Sequence, residues 1–269
     1  MTDLARLSSG TVRPAPFILL TKSRSGSKWL VELLDTHEQL AVYGELYGGA
    51  QVRRDYGAQG VPRFEEYIRS RSGRLPRAAL RARYLHAALD SRRDVRAVGV
   101  KFVYRHATRG VHWYLAARRA RVVHLIRSNL LDALLSYEVG SARGFRGARI
   151  GEQTPAASVH LDAGGLRERL VQHERSITRA RSRLLLYRIP ALEVFYEELV
   201  SKHEETMGGI LAFLGVGAPV EPLQSTFAPI DDVPREDVVA NLDEVREALA
   251  GTRFEWMLEP GVRARSAIA

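Results

Sequence analysis

Short apolar runs alternate along the chain with stretches whose apolar residues recur every three or four positions. Phe17-Ile18-Leu19-Leu20, Leu40–Tyr43, Val95–Tyr104, Val122–Ile126 and Leu192–Tyr196 have the length and apolar content of buried strands. Helical spacing follows in Trp29, Leu30, Leu33 and Leu34, in Phe64, Tyr67 and Ile68, and in Leu80, Tyr84, Leu85 and Leu89. The same spacing marks Trp113–Ala120, Leu130 to Tyr137, Leu166–Leu186, Glu197 to near Gly215, and Val238–Leu249. Strands alternating with helices predict an α/β fold with a central, mostly parallel sheet. There is no internal repeat and no linker, so residues 1–269 read as one domain with helical insertions. Residues 1–15 lack periodicity and read as a mobile arm. Residues 138–165, rich in Gly, Ala, Ser and Arg, read as a lid or flexible segment.

The first run ends in a small, polar, cationic loop, Thr21-Lys22-Ser23-Arg24-Ser25-Gly26-Ser27-Lys28, and a helix opens at Gly26. Strand, Gly/Ser turn and helix start make a phosphate cradle, in which backbone N–H groups face the anion and hydroxyls and cations add to them. This is not a Walker A loop. Thr21 stands where its first glycine belongs, and Trp29 follows Lys28 where a Mg²⁺-binding hydroxyl belongs. A second candidate seat joins Arg127, at the end of the fourth strand, to Ser136, nine residues on in the next helix. A guanidinium fork with a hydroxyl suits a phosphate monoester. The alternative is an arginine paired with Asp132 beside an exposed serine.

Composition narrows the partners. A net charge of +9 points to an anion: nucleic acid, membrane surface or a polyphosphorylated nucleotide. Aromatics interleaved with a basic cluster, as in nucleic-acid stacking platforms, are absent, so no nucleic acid is expected. No apolar run approaches the roughly 18 residues of a membrane span. With no apolar signal region and no cysteine, a cytoplasmic location is expected. No metal is expected from the His, Asp and Glu spacings.

Arg24-Ser25-Gly26-Ser27 with Trp29 resembles the 5′-phosphosulfate loop of sulfotransferases that use 3′-phosphoadenosine-5′-phosphosulfate (PAPS). Arg127 with Ser136 resembles their 3′-phosphate element. Gly99-Val100-Lys101-Phe102, Val194–Leu199, and Asn241–Val245 with Gly251-Thr252 are looser matches, and the pattern is closest to the bacterial carbohydrate and small-molecule subgroup. The resemblance covers about residues 17–258. It departs at Lys28, where many relatives have a hydroxyl residue, and in lacking the Lys-Thr-His segment of the aryl enzymes.

The resemblance implies a P-loop-like three-layer fold and sulfuryl transfer from PAPS to a hydroxyl of a small molecule or carbohydrate. It implies that Arg24, Ser25, Gly26, Ser27, Lys28 and Trp29 hold the 5′ end of the nucleotide and that Arg127 and Ser136 hold the 3′-phosphate. Arg24 or Lys22 would stabilise the leaving oxygen. Glu45, in the loop after the second strand, is the first candidate for the general base; His106 is the second and His37 the third. Lys101 is a further candidate contact for acceptor or sulfonate. Two other classes stay open: a P-loop nucleotide kinase or NTPase, and a non-enzymatic nucleic-acid-binding protein.

Overall fold

A computed structural model describes residues 13–47, 61, 64–69, 76–144, 157–227 and 234–259. Five parallel strands form one sheet in the order β2-β3-β1-β4-β5. They are β1 (Ala15–Thr21), β2 (Leu40–Tyr43), β3 (Ala97–Val103), β4 (Arg121–Ile126) and β5 (Ala191–Phe195). All four pairings are parallel. A sheet of this kind must be covered on both faces, which is why its central strands read as unbroken apolar runs.

The helices are α1 (Ser27–Asp35), α2 (Phe64–Arg69), α3 (Arg77–Leu89), α4 (Arg109–Ala117), α5 (Leu130–Ala142) and α6 (Ala163–Leu186). They continue with α7 (Tyr196–Ser201), α8 (His203–Leu214), α9 (Arg235–Val238) and α10 (Leu242–Leu249). Residues alternate between layers. Ile18 and Leu20 face a core shared with α3, α4 and the C-terminal part of α6, whereas Phe17 and Leu19 face α1 and α8. Gly99 is required for this packing. It pairs in register with Phe17, and a Cβ there would overlap the Phe17 ring. A third cluster joins α5, the N-terminal part of α6, α10 and Phe254 beside the end of β4.

After β1 the chain passes to β2 and β3 on one side, then crosses to β4 and β5 on the other. The crevice over the C-terminal ends of β1, β3 and β4 is therefore the topological switch point, where open α/β sheets bind ligands.

Three expectations are revised. Glu138–Ala142 belong to α5 and Ala163–Gly165 open α6, so the segment expected as a lid is helical at both described ends. Residues 145–156 of that segment, and 1–12 of the expected arm, lie outside the described residues. The helix expected over Val238–Leu249 is two, because Val239 leaves it to bridge Val159. The helix expected from Glu197 to near Gly215 is also two, divided at Lys202.

Candidate functional site

The loop between β1 and α1 lies at the switch point and is held open by its backbone. Arg24 (φ 73°) and Gly26 (φ 74°) are both left-handed, with Ser25 between them, an alternation that turns successive N–H groups to one side. Gly26 is the N-cap of α1, which has no side-chain cap and no acidic residue in its first turn. The positive end of the helix dipole thus faces the loop with no acidic residue in its own first turn to offset it. A Cβ at Gly26 would overlap the Tyr196 ring, so glycine is demanded twice, by φ and by space. Ser25 and Ser27 are buried, and Ser25 Oγ donates to the Lys22 carbonyl at 3.0 Å, tying the loop to its own start. Thr21 Oγ1 donates to the Leu125 carbonyl at 2.9 Å, fixing the loop against β4.

Arg127, at the end of β4, is 5% exposed, and its Nε and Nη1 have no partner; the adjacent Ser128 Oγ is likewise buried and unpartnered. Buried donors without acceptors are costly, so this cluster is the observation in the site that asks for an anion. Asp132 does not meet the demand. Its Oδ2 stands 3.6 Å from Arg127 Nη2, while its Oδ1 accepts from Arg235 Nη2 at 2.7 Å. The guanidinium of Arg127 lies over the Tyr196 ring at 5.2 Å. The turn itself is held by Glu197, whose carboxylate accepts from Ser128 N (2.9 Å) and Asn129 N (3.1 Å).

The two seats meet. Arg24 Nε donates to Ser136 Oγ at 3.0 Å, linking the β1–α1 loop to α5, and Tyr196 touches Gly26 on one side and Arg127 on the other. Trp29 stacks on His203 (5.4 Å between centroids) and meets Tyr196 edge-on (6.4 Å). Lys28 Nζ lies 5.1 Å from the centroid of the Phe227 ring. Lys22 is half-buried, and burial followed by the charge of Arg169 lowers its pKa.

Glu45 and Lys101 come together on the β2–β3 side. Lys101 Nζ and Glu45 Oε1 are 2.9 Å apart with both side chains nearly covered, and Arg105 Nη2 is 3.7 Å from Oε2. Burial acts to raise the Glu45 pKa, but Lys101, His106 and Arg105 outweigh it and hold the carboxyl below its usual range. His106 is buried against Tyr47 and Phe102, and its Nε2 accepts from Arg105 Nε at 3.3 Å. Burial, then the Arg105 charge, push it down to about 4, so it is neutral at pH 7.

His37 is not brought to the site. It follows the C-terminus of α1, at the opposite edge of the sheet, where Gln39 N donates to its Nδ1 (3.0 Å) and Nε2 bonds the Gly217 carbonyl (3.1 Å). Tyr196, Glu197, Ser128 and Arg235 surround the seats with no signal of their own as site residues in the sequence, and Asp132, legible only as a partner for Arg127, also engages Arg235. Each works through a partner distant in sequence, and only Tyr196-Glu197 stood in a recognised segment. Among the described residues no cluster of His, Asp or Glu is placed to hold a metal, and no helix is long and apolar enough to cross a membrane.

A family model described as the sulfotransferase family matches residues 16–219, about three quarters of the chain. Similar solved structures include the sulfotransferase domain from the curacin biosynthetic pathway, 14% identical over 80% of this chain and 80% of that one, with a TM-score of 0.45. The sulfotransferase domain of the Synechococcus PCC 7002 olefin synthase is 17% identical over 96% and 91% of the two chains, with a TM-score of 0.45. A sulfotransferase from Alicyclobacillus acidocaldarius is 17% identical over 88% and 90%, also at 0.45. No curated protein matches the chain.

Proposed function

The chain belongs to the sulfotransferase family, and from that premise we propose that it transfers a sulfuryl group from PAPS to a hydroxyl of a small molecule or carbohydrate, in the cytoplasm and without a metal. The observation that carries the donor assignment is the unpartnered Arg127 Nε and Nη1 beside the Ser128 hydroxyl, joined to the β1–α1 loop through Arg24 and Ser136. Two anion seats on adjacent strands suit a nucleotide phosphorylated at both ends.

When bound, PAPS supplies an activated sulfuryl group on a phosphosulfate anhydride and departs as adenosine 3′,5′-bisphosphate. The first-turn N–H groups of α1, with Ser25, Ser27, Lys28 and Trp29, would hold its 5′ end. Arg127, Ser128 and Ser136 would hold the 3′-phosphate, with Tyr196 between Gly26 and Arg127 spanning the two seats. Arg24 and Lys22 are positioned to balance negative charge growing on the leaving oxygen. Glu45 takes the proton from the acceptor hydroxyl, and Lys101 keeps that carboxylate ionised and oriented.

Thermal unfolding with added nucleotides tests the proposal. Adenosine 3′,5′-bisphosphate at a hundredfold excess over its Kd should stabilise the protein by about 2.7 kcal/mol. AMP, which lacks the second phosphate, should do much less, and Arg127→Ala should abolish the difference. Equal stabilisation by AMP, or a larger effect of Mg²⁺-ATP, would overturn the donor assignment.

A further inference from the structure

The outer surface of α4 and the last turn of α6 carry the most exposed large apolar groups of the described residues outside the loops. Trp113, in α4, is 68% exposed, and Leu185 and Leu186, in the last turn of α6, are 81% and 75% exposed. They belong to one neighbourhood. Tyr187, which follows Leu186, packs edge-on against Trp113 at 5.5 Å and stacks on His112 at 5.3 Å. The indole is therefore braced rather than free, although most of its surface meets water.

The charge around these groups has one sign. No Asp or Glu occurs from Arg109 to Arg121 or from Arg175 to Pro190. Arg119, Arg179 and Arg188 are exposed and make no ion pair among the described residues. The neighbouring carboxylates are already engaged: Asp90 by Arg13 and Arg118, and Glu193 by Arg181. The arginines on these two helices and the turns that follow them thus present unneutralised forks to solvent.

We propose that this face docks an acidic, amphipathic segment of a protein partner, its apolar residues covering Trp113 and Leu186 and its carboxylates meeting the arginines. A Trp braced by Tyr187 on helices that carry exposed arginines is the kind of anchor that dominates protein interfaces, and bracing it in advance lowers the entropy cost of binding. A second copy of this chain is a poor occupant, since a two-fold contact would set the arginine field against itself. Trp113 points away from the sheet, its helix burying Val111, His112 and Leu115 instead.

The probe is a fluorescein-labelled synthetic helix with Leu at helical spacing on one face and Glu on the others. Its control is a peptide of the same composition with the leucines scattered. Anisotropy should show micromolar binding that weakens about tenfold or more for the scattered peptide, for Trp113→Ser and for Arg179→Glu/Arg188→Glu, and that falls with salt. Trp113→Ser should keep the wild-type Tm and sulfuryl transfer, so a loss of binding is not a loss of fold. Equal affinity of both peptides, or no effect of Trp113→Ser, overturns the proposal. So does Trp113-dependent binding to phosphatidylserine vesicles without binding to the peptide, or Trp113-dependent dimerisation in sedimentation.

Discussion

Glu45 and His106 stand side by side as candidate bases, and their surroundings separate them. Glu45 is a covered carboxylate kept ionised by Lys101 at 2.9 Å, with a second oxygen 3.7 Å from Arg105. Basicity does not separate them, since Glu45 is held below its usual range and His106 is pushed down to about 4. What does is that the neutral imidazole spends its one acceptor nitrogen, Nε2, on Arg105, whereas the Glu45 carboxylate keeps lone pairs for the acceptor hydroxyl. Glu45→Gln should therefore lower kcat by about 10²–10⁴-fold, whereas His106→Gln should stay within about tenfold of wild type. Steady-state kinetics with a saturating donor decide it, and adenosine 3′,5′-bisphosphate binding by both variants checks that the nucleotide seats survive. A Glu45→Gln enzyme with wild-type kcat would remove Glu45 from the chemistry.

At the scale of elements, what was legible in the sequence was what neighbours in the chain decide. β1, β4 and the β1–α1 loop could be read because four or five consecutive apolar residues and a Ser/Gly turn carry their own signal. α5 beyond Tyr137 could not, because Gly140 and Ser141 dilute its pattern; contacts with α6 carry it on to Ala142. The break at Val239 was equally invisible, since it depends on Val159, eighty residues away. The site divides the same way. Arg127 was readable as a strand-end cation, but its support was not: Glu197 reaches Ser128 across a separation of 69 residues because β5 pairs with β4. That support carries a prediction. Glu197→Ala strips two buried N–H groups of their acceptor and should cost about 2–3 kcal/mol of stability. It should also weaken adenosine 3′,5′-bisphosphate about tenfold, because the turn that aims Arg127 loosens. Urea unfolding measures the first effect and calorimetric titration the second, each beside an exposed control, Glu204→Ala; unchanged affinity in Glu197→Ala would show that Arg127 is aimed by β4 alone.

For the whole molecule, buried imidazoles set the response to acid. His173, on the face of α6 that packs inward, is 3% exposed with Nδ1 unpartnered, and burial followed by the charge of Lys22 pushes it down to about 3. His106 lies at about 4 for the same first reason. Both are bases whose folded pKa falls below the unfolded value of about 6.5. Between those limits the unfolded chain binds the proton and the folded chain does not. Stability therefore rises with pH across that window and is lost as pH falls from about 6.5 towards 3–4. Glu193 adds to the loss lower down. Burial acts to raise its pKa, but hydrogen bonds from His124 and Arg181 hold it at about 2, so its contribution fades from about pH 4.3 downward. Net positive charge grows over the same range in a chain already at +9 and adds self-repulsion to each step. Urea unfolding of the wild type should accordingly lose stability steadily below pH 6.5. His173→Gln, which cannot take the proton, should flatten that slope by up to about 1.4 kcal/mol per pH unit between pH 6 and 4. Parallel slopes for the two proteins would mean that His173 titrates alike folded and unfolded, and that the acid response lies in the carboxylates instead.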